Sequence, residues 1–337
     1  MKAIGYIDSL PSSDPKSLFD FEAPKPSPGP RDLLVSVRAV SVNPVDTKVR
    51  MRAQGTADAP KILGYDAAGV VEAVGAEVQW FKPGDEVFYA GSIVRPGTNS
   101  EFHLVDERIA AHKPCTLSMA EAAALPLTSL TAWEILFDRL GVALGKPHAA
   151  GTVLVIGASG GVGSVLVQLA RRLTGLNIVG TASRAESQQW VLKNGAHHAI
   201  DHSKNLVEEF RKTGLKYAEY VVGLTHSDEH WDAIAELVAP QGKFALIDDP
   251  PLVDFRKFKS KAVSLHWELM FTRSTFQTAD MMEQHRILEQ VARLVDEGLL
   301  RTTLTKSAGR ITAENLRHAH AAIESGKSIG KVVLEGF

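Results

Sequence analysis

The seven residues from Gly157 to Gly163 have the composition of a phosphate-binding turn. They follow the apolar run 152–156, and apolar residues then recur every three or four positions up to Leu173. This order predicts a strand, a glycine turn and a helix. Glycine lets the backbone turn tightly against a pyrophosphate, and a helix N-terminus offers it free N–H groups. The sequence therefore predicts a dinucleotide site rather than a purely structural turn, with Gly157, Ser159, Gly160, Gly161, Val162 and Gly163 binding the cofactor.

The end of the next predicted strand indicates which dinucleotide binds. In NAD-binding versions of this pattern, a carboxylate about 20 positions after the glycines contacts the ribose hydroxyls. Here that place holds Ser183 and Arg184, and a guanidinium suits a 2′-phosphate. We therefore expect NADPH, bound in part by these two residues. One alternative stays open: Arg184 is a solvated residue at the start of a helix, and Glu186 contacts the ribose instead. His202, after the third strand, is a further candidate to face the adenosine phosphate, with a surface histidine as its alternative.

The elements that position these residues divide the chain in two. The first third has β patterns, such as the apolar positions alternating from Leu33 to Val37 and the run 67–74. Ser118 with Glu121 predicts a capping box at the start of a helix. From Thr152 onward strands and helices alternate, which indicates a parallel sheet covered on both faces. The last residues, 330–334, predict one more strand that returns to the first domain.

Bulk composition excludes several classes of protein. The 337 residues are 45% hydrophobic with a net charge of −2, so nothing global attracts nucleic acid or an anionic membrane. The sequence has neither a bilayer-spanning apolar stretch nor a secretory signal pattern. The one cysteine, Cys115, excludes disulfides within the chain and fits a reducing cytosol. We expect a cytoplasmic protein without nucleic-acid or membrane partners.

Several motifs together resemble the medium-chain dehydrogenase/reductase superfamily over essentially the whole chain. They are Asn43-Pro44-Val45-Asp46-Thr47-Lys48, Gly64-Tyr65-Asp66-Ala67-Ala68-Gly69, Phe81-Lys82-Pro83-Gly84-Asp85, Leu127-Thr128-Ser129-Leu130-Thr131-Ala132-Trp133 and the glycine turn. The resemblance implies an α/β fold: a GroES-like β-rich domain over 1–125, completed by 303–337, and a doubly wound parallel-sheet Rossmann domain over 126–302. The branch it resembles is that of the zinc-type alcohol dehydrogenase-like proteins, near the quinone oxidoreductases and enone reductases.

The sequence departs from the zinc-binding members of this superfamily. Where those members hold a cysteine and a histidine as zinc ligands, this chain has Asn43 and Tyr65, and Cys115 cannot replace a four-cysteine structural site. Two histidine pairs, 226 with 230 and 318 with 320, have no further ligand nearby in sequence and are interpreted as exposed residues. We therefore expect no metal.

Without a Lewis acid, hydride transfer requires an acceptor carbon that is already electrophilic, such as that of a quinone or an α,β-unsaturated carbonyl. The resemblance implies Asn43 as a polar group beside the nicotinamide, with a loop cap as the alternative. Lys48 stands where many relatives have tyrosine, and it either assists the developing enolate or is merely solvated. Thr128 and Thr131 either contact the nicotinamide carboxamide or cap a helix.

Most of the remaining predicted site residues lie at or beyond the end of the fifth Rossmann strand. Ile247 and Asp248 end that strand, where ligands bind in open α/β sheets. The aromatic candidates for a substrate pocket are Tyr65, Trp267, Phe271 and Phe276, with core or interface packing as the alternative.

The predicted function is NADPH-dependent reduction of a quinone or an α,β-unsaturated carbonyl, without metal. The alternatives are a metal-free carbonyl reductase and a non-enzymatic NADPH-binding scaffold, either crystallin-like or RNA-binding through the basic run 256–261. The strand predicted over 262–265 lies at a sheet edge, and relatives pair such edges across a two-fold, so we expect a homodimer.

Overall fold

The computed structural model describes residues 1–145 and 151–337. The chain forms two compact units: the first comprises Met1–Leu130 together with Phe271–Phe337, and the second comprises Thr131–Met270. In the described ranges, no helix is long and apolar enough to cross a membrane.

Strands and helices are numbered along the chain. The strands are β1 (Lys2–Tyr6), β2 (Phe19–Glu22), β3 (Asp32–Val42), β4 (Lys61–Ile62), β5 (Ala67–Val74), β6 (Glu86–Tyr89), β7 (Phe102–Asp106), β8 (Ala110–His112), β9 (Thr152–Ile156), β10 (Asn177–Thr181), β11 (His198–Ile200), β12 (Ala218–Gly223), β13 (Val238–Leu246), β14 (Ser264–Trp267), β15 (Leu304–Ser307) and β16 (Lys331–Glu335). The α-helices are α1 (Pro44–Arg52), α2 (Met119–Ala123), α3 (Pro126–Trp133), α4 (Gly161–Leu173), α5 (Ala185–Lys193), α6 (Leu206–Arg211), α7 (Trp231–Leu237), α8 (Thr272–Phe276), α9 (Glu283–Asp296) and α10 (Ala313–Glu324). A π-helical segment, Glu134–Arg139, extends α3.

The first unit is built on two sheets. A small antiparallel sheet has the order β2-β1-β4. A larger, mixed sheet has the order β15-β16-β3-β5-β6-β8, with β7 also paired to β3 and with β15 parallel to β16. The predicted return of the last strand is confirmed, since β16 pairs antiparallel with β3 through Val332 and Val42. The alternation predicted for β3 differs at Leu34, which is buried like its neighbours, because α2 and α10 both pack against this strand.

Residues 271–302, predicted to lie in the Rossmann domain, pack within the first unit. The predicted bounds of 1–125, 303–337 and 126–302 therefore differ from the observed units by this segment and by 126–130. Helix α9 is attached to the strand-rich part by polar contacts: Glu289 accepts the backbone N–H of His112 at 2.8 Å, and Asp296 accepts that of Thr116 at 2.9 Å.

The second unit confirms the doubly wound α/β fold. Its six strands are all parallel, in the order β11-β10-β9-β12-β13-β14. Fully buried residues such as Leu154, Val179, Val221 and Phe244 form the core beneath the helices. The strand order reverses beside β9, so the carboxyl ends of β9, β10, β11 and β12 meet at the edge where such folds bind ligands.

Candidate cofactor and active sites

The glycine turn follows β9 and is fixed to the end of β10. Gly157 has a φ of +82°, a conformation that side chains disfavour. Its N–H donates to Oγ1 of Thr181 at 3.1 Å, and the N–H of Ala158 donates to the carbonyl of Thr181 at 3.1 Å. A Cβ at residue 157 would lie 2.8 Å from Cγ2 of Thr225, so two loops meet here at a distance that only glycine permits.

Helix α4 begins in this turn without a side-chain cap. Its N-cap residue is Gly160, which has no side chain to accept from the first N–H groups of the helix. A Cβ on Gly163 would lie 2.6 Å from the Cα of Ala158, so this glycine allows the helix to pack tightly on the turn. Ser159, Gly160, Gly161 and Val162 are partly exposed. The predicted strand, turn and helix are confirmed, and the free N–H groups with the helix dipole suit an anion.

The end of β10 presents the predicted pair of cofactor residues to solvent. Ser183 and Arg184 are exposed, and Arg184 is the N-cap residue of α5. Glu186, the alternative ribose contact, is exposed in the first turn of the same helix. Arg184 and Glu186 are therefore both accessible to a bound dinucleotide, so the structure leaves both interpretations open.

A cavity of about 270 Å³ lies at the carboxyl ends of β9, β11 and β12. Nδ1 of His202 lies 2.9 Å from Oγ1 of Thr181, the hydroxyl that also receives the Gly157 N–H. The cavity is lined by Ile156, His202, Ser203, Thr225, His226, Glu229 and His230. Sequence reasoning missed the last two histidines as candidates for ligand binding. Their position after the fourth Rossmann strand, at the ligand-binding edge, was the feature that could have identified them.

Ile247 and Asp248, predicted to contact the cofactor, hold the loop after β12. Asp248 accepts the backbone N–H of Ser227 at 2.7 Å and its hydroxyl at 2.8 Å, and the N–H of Ile247 donates to the carbonyl of Gly223. Both residues are partly exposed. These contacts hold the loop after β12, which also carries cavity residues His226 and His230.

A buried polar network surrounds Asn43 in the first unit. Its amide nitrogen donates to Asp66 at 2.8 Å and to the carbonyl of Ser41 at 3.3 Å, and its Oδ1 accepts from the ammonium of Lys331. Lys331 also donates to Asp66 at 3.0 Å and to the carbonyl of Val42 at 3.1 Å. Asn43 is the N-cap residue of α1, so the alternative of a capping asparagine describes its backbone position.

Two buried carboxylates in this network have raised pKa values. Asp46 accepts the N–H groups of Asn43 at 2.7 Å and of Gly64 at 3.0 Å, yet burial raises its pKa to about 7. Burial also raises the pKa of Asp66, against the opposing charge of Lys331. Removal from water disfavours the carboxylate form, and nearby donors only partly restore it.

The other predicted catalytic and nicotinamide contacts have distinct surroundings. Lys48 is partly exposed on α1. The hydroxyl of Thr128 donates to the carbonyl of Leu125 at 3.0 Å, a bond within its own helical turn, and both Thr128 and Thr131 are buried. A helix N-cap side chain accepts a backbone N–H, whereas Thr128 donates to a carbonyl, so this bond is not a cap and both predicted roles stay predictions.

The four aromatic candidates differ in exposure, and they belong to both units. Tyr65 and Phe271 are buried in the first unit and meet edge to face at 5.4 Å between ring centroids. Phe276 is 74% exposed in that unit, and Trp267 is 56% exposed at the end of β14 in the second. Among the residues described, the phenol oxygen of Tyr65 is a buried polar atom without a hydrogen-bond partner. Burial raises its pKa.

The residues at the expected zinc positions do not fit a zinc site. The side chain of Asn43 is occupied by Asp66 and Lys331, and the ammonium places a positive charge where a cation would bind. Cys115 is exposed, and its thiol is hydrogen-bonded to the carboxylate of Asp296. In the two ranges that the structure covers, no group of three or more histidine, cysteine or acidic side chains is arranged to hold a metal.

The basic run 256–261 is paired with acidic side chains and helix carbonyls. Arg256 donates to Asp254 at 2.8 Å, Lys257 bonds to Asp232, and the ammonium of Lys261 donates to carbonyls at the end of α7. This run therefore stabilises a loop and a helix end.

Comparisons with known proteins cover the entire chain. The alcohol dehydrogenase GroES-like domain family matches residues 29–123, and the zinc-binding dehydrogenase family matches residues 194–334. A zinc-type alcohol dehydrogenase-like protein of Staphylococcus aureus (strain MSSA476) is 37% identical over 339 residues, covering 99% of each chain.

Solved structures agree with this assignment. A Rhizobium etli CFN 42 protein, named as a zinc-dependent alcohol dehydrogenase, is 59% identical with a TM-score of 0.96, covering 100% of this chain and 98% of that one. The Escherichia coli quinone oxidoreductase, solved with NADPH, is 25% identical with a TM-score of 0.85 and covers 100% of both chains. With its GroES-like sheet and its parallel Rossmann sheet, the chain belongs to the medium-chain dehydrogenase/reductase superfamily and is an oxidoreductase of that family.

Proposed function

We propose that this protein transfers hydride from NADPH to a quinone or an α,β-unsaturated carbonyl. The observation that carries the proposal is the uncapped N-terminus of α4 in a glycine turn, with Ser183 and Arg184 rather than a carboxylate directly at the end of β10. The helix end suits the pyrophosphate, and the guanidinium suits the 2′-phosphate. The likeness to a quinone oxidoreductase solved with NADPH supports the same cofactor and acceptor class.

The proposed reaction uses no catalytic zinc. At the positions expected to bind it, an amide is committed to a buried ammonium and a phenol is packed against Phe271. Hydride addition to a quinone or an enone gives a delocalised phenolate or enolate, which requires only hydrogen bonding and a proton. Lys48 is the proposed donor to that oxyanion. Asn43 acts within the network of Lys331 and Asp66, because its amide nitrogen already donates to Asp66 and to the carbonyl of Ser41 and its oxygen accepts from Lys331.

The remaining predicted site residues keep proposed roles of positioning. Thr128 and Thr131 line the approach to the nicotinamide, and the turn at Ile247 and Asp248 supports its carboxamide. Tyr65, Trp267, Phe271 and Phe276 contribute apolar surface for the acceptor. We also propose a homodimer, since β14 is the edge strand of the six-stranded sheet and ends in the exposed indole of Trp267.

The first test follows NADPH oxidation in chelator-treated buffer with a quinone, a 2-alkenal and a simple ketone, with NADH in parallel. Turnover of the quinone or the alkenal with NADPH is the expected result. Activity that appears only on addition of zinc contradicts the metal-free proposal. Turnover of the ketone alone favours a carbonyl reductase, and NADPH binding without turnover of any acceptor favours a scaffold.

A variant tests the cofactor assignment. Arg184→Ala should weaken NADPH about tenfold or more, because hydrogen bonds to charged groups contribute about 1.5–3 kcal/mol, and should leave NADH unchanged. Arg172→Ala, which removes an exposed arginine from the opposite end of α4, is the matched control. Equal weakening of both dinucleotides by Arg184→Ala contradicts 2′-phosphate recognition at this residue.

A further inference from the structure

We infer that His202 and His230 form a second half of the site for the adenosine 2′-phosphate, and that they bind it as imidazolium ions protonated when the ligand arrives. The inference rests on the proposed use of NADPH. It adds two residues that distinguish NADPH from NADH, one after β11 and one after β12, to Ser183 and Arg184 at the end of β10.

The first argument is position. A dinucleotide whose pyrophosphate lies at the α4 N-terminus places its adenosine beyond the carboxyl ends of the neighbouring strands. The cavity of about 270 Å³ lies there, lined by Ile156 from β9, His202 after β11 and His230 after β12. Because His202 contacts the last residue of β10, Thr181, its imidazole is also close to the strand end that carries Ser183 and Arg184.

The second argument is the fixed orientation of His202. The hydroxyl oxygen of Thr181 accepts the Gly157 N–H at 3.1 Å and lies 2.9 Å from Nδ1 of His202. Because the hydroxyl hydrogen of Thr181 can donate to Nδ1, the neutral imidazole then carries its hydrogen on Nε2. Protonation converts Nδ1 into a donor to the same oxygen, so Thr181 supports both charge states. One hydroxyl thus connects the phosphate turn to the imidazole.

The third argument is charge. The rings of His202 and His230 lie 5.9 Å apart between centroids, so two imidazolium ions would repel each other in the empty cavity. Burial lowers the pKa of both rings, and for His202 the neighbouring His230 lowers it further. A phosphate dianion between them reverses that balance, because an opposite charge favours the protonated form.

Four other titratable side chains act on the two rings: Asp201, His226, Asp228 and Glu229. His226, which is 61% exposed, pairs with Glu229 at 3.2 Å across the cavity wall. Glu229 raises the pKa of both rings and His226 lowers it, while Asp201 raises that of His202 and Asp228 raises that of His230. Three carboxylates thus lie near two imidazoles that burial keeps neutral near pH 7.5, and protonation of the rings supplies the positive charge that a phosphate dianion favours.

The test is isothermal titration of NADP⁺ and of NAD⁺ near pH 7.5, in two buffers of different ionisation enthalpy. At this pH the free 2′-phosphate is mostly a dianion, so protons bound on association come to the protein. We expect an uptake of between one and two protons with NADP⁺ and none with NAD⁺. We also expect tighter NADP⁺ binding at pH 6.5 than at pH 8.

Isosteric variants assign the protons. His202→Asn and His230→Gln should each reduce the uptake and weaken NADP⁺ about tenfold while leaving NAD⁺ unchanged. His318→Gln, an exposed histidine on α10 in the first unit, should change neither. Equal uptake with both dinucleotides, no uptake in the parent protein, or equal weakening of both ligands overturns the inference. Absence of NADP⁺ binding in the parent protein instead overturns the proposed cofactor.

Discussion

Removal of the ammonium of Lys331 should expose how strongly the buried network depends on one charge. Lys331 is 3% exposed and Asp66 is fully buried, with 3.0 Å between the ammonium and the carboxylate. The carboxylate also accepts from Asn43 and from the backbone of Leu127, each at 2.8 Å. In Lys331→Met those two donors remain, but no cation described as an ion-pair partner of Asp66 is left to compensate the carboxylate.

The expected loss of stability is about 3–5 kcal/mol at pH 8, the range for breaking one partner of a buried ion pair. The loss should depend on pH. In the variant the folded-state pKa of Asp66 rises further above the unfolded value, so the folded chain holds a proton that the unfolded chain has lost. Stability therefore falls as pH rises from the unfolded pKa through the folded one, and the loss is smaller at pH 5 than at pH 8.

Urea unfolding followed by fluorescence measures the change from the shift in midpoint at constant slope. Lys306→Met, which removes an exposed lysine from β15, is the matched control and should shift the midpoint little. Asp66→Asn with Lys331→Met should recover about 2 kcal/mol at pH 8 by removing both charges. The reasoning is refuted if Lys331→Met costs no more than the control, or if the double variant is no more stable than the single one.

Three further outcomes follow from other contacts. Burial lowers the pKa of His103 to about 4 and that of His320 to about 3, so the unfolded chain binds more protons below about pH 6.5; stability should be complete above that pH and fall as pH drops toward 4, as thermal melts across pH will show. Gly163→Ala should weaken dinucleotide binding about tenfold by titration, because its Cβ would meet the backbone of Ala158; unchanged affinity would contradict the tight turn. Tyr65→Phe should raise the unfolding midpoint by the equivalent of about 1 kcal/mol, since the phenol oxygen is buried without a partner; a lower midpoint would indicate a bonded hydroxyl.

Local patterns in the sequence predicted several individual strands and helices in both units. The run 67–74 in the first unit and the run 152–156 in the second match β5 and β9 residue for residue. Gly195, shortly after the end of α5, has a φ of +112°, which glycine tolerates at helix C-termini. These features are local: apolar period, turn chemistry and a residue that tolerates positive φ are all contained within a few neighbouring positions. The alternation of strands and helices predicts a parallel sheet, whereas the order of its strands comes from the structure.

Contacts between distant residues could not be predicted in the same way. Lys331 bonds to Asn43 across 288 positions, and no periodicity in the sequence connects them. The segment carrying α9 continues the alternating pattern, yet its polar face is fixed by His112 and Thr116 in the first unit. Matching a carboxylate to a donor far away along the chain requires the folded topology, which the pattern of one element does not contain.

The network of Asn43, Asp66 and Lys331 and the cavity lined by His202 and His230 differ in how their charges are balanced. In the first unit, a permanent cation stands beside a carboxylate, so the charges compensate within the protein and the amide of Asn43 is held in place. In the second, two titratable imidazoles line a cavity, and their charge depends on whether they are protonated. A cluster with fixed, compensated charges has little to gain from a further ion, whereas imidazoles that can take up protons gain when an anion enters. The charge balance of each cluster therefore favours a structural role for the first and ligand recognition for the second.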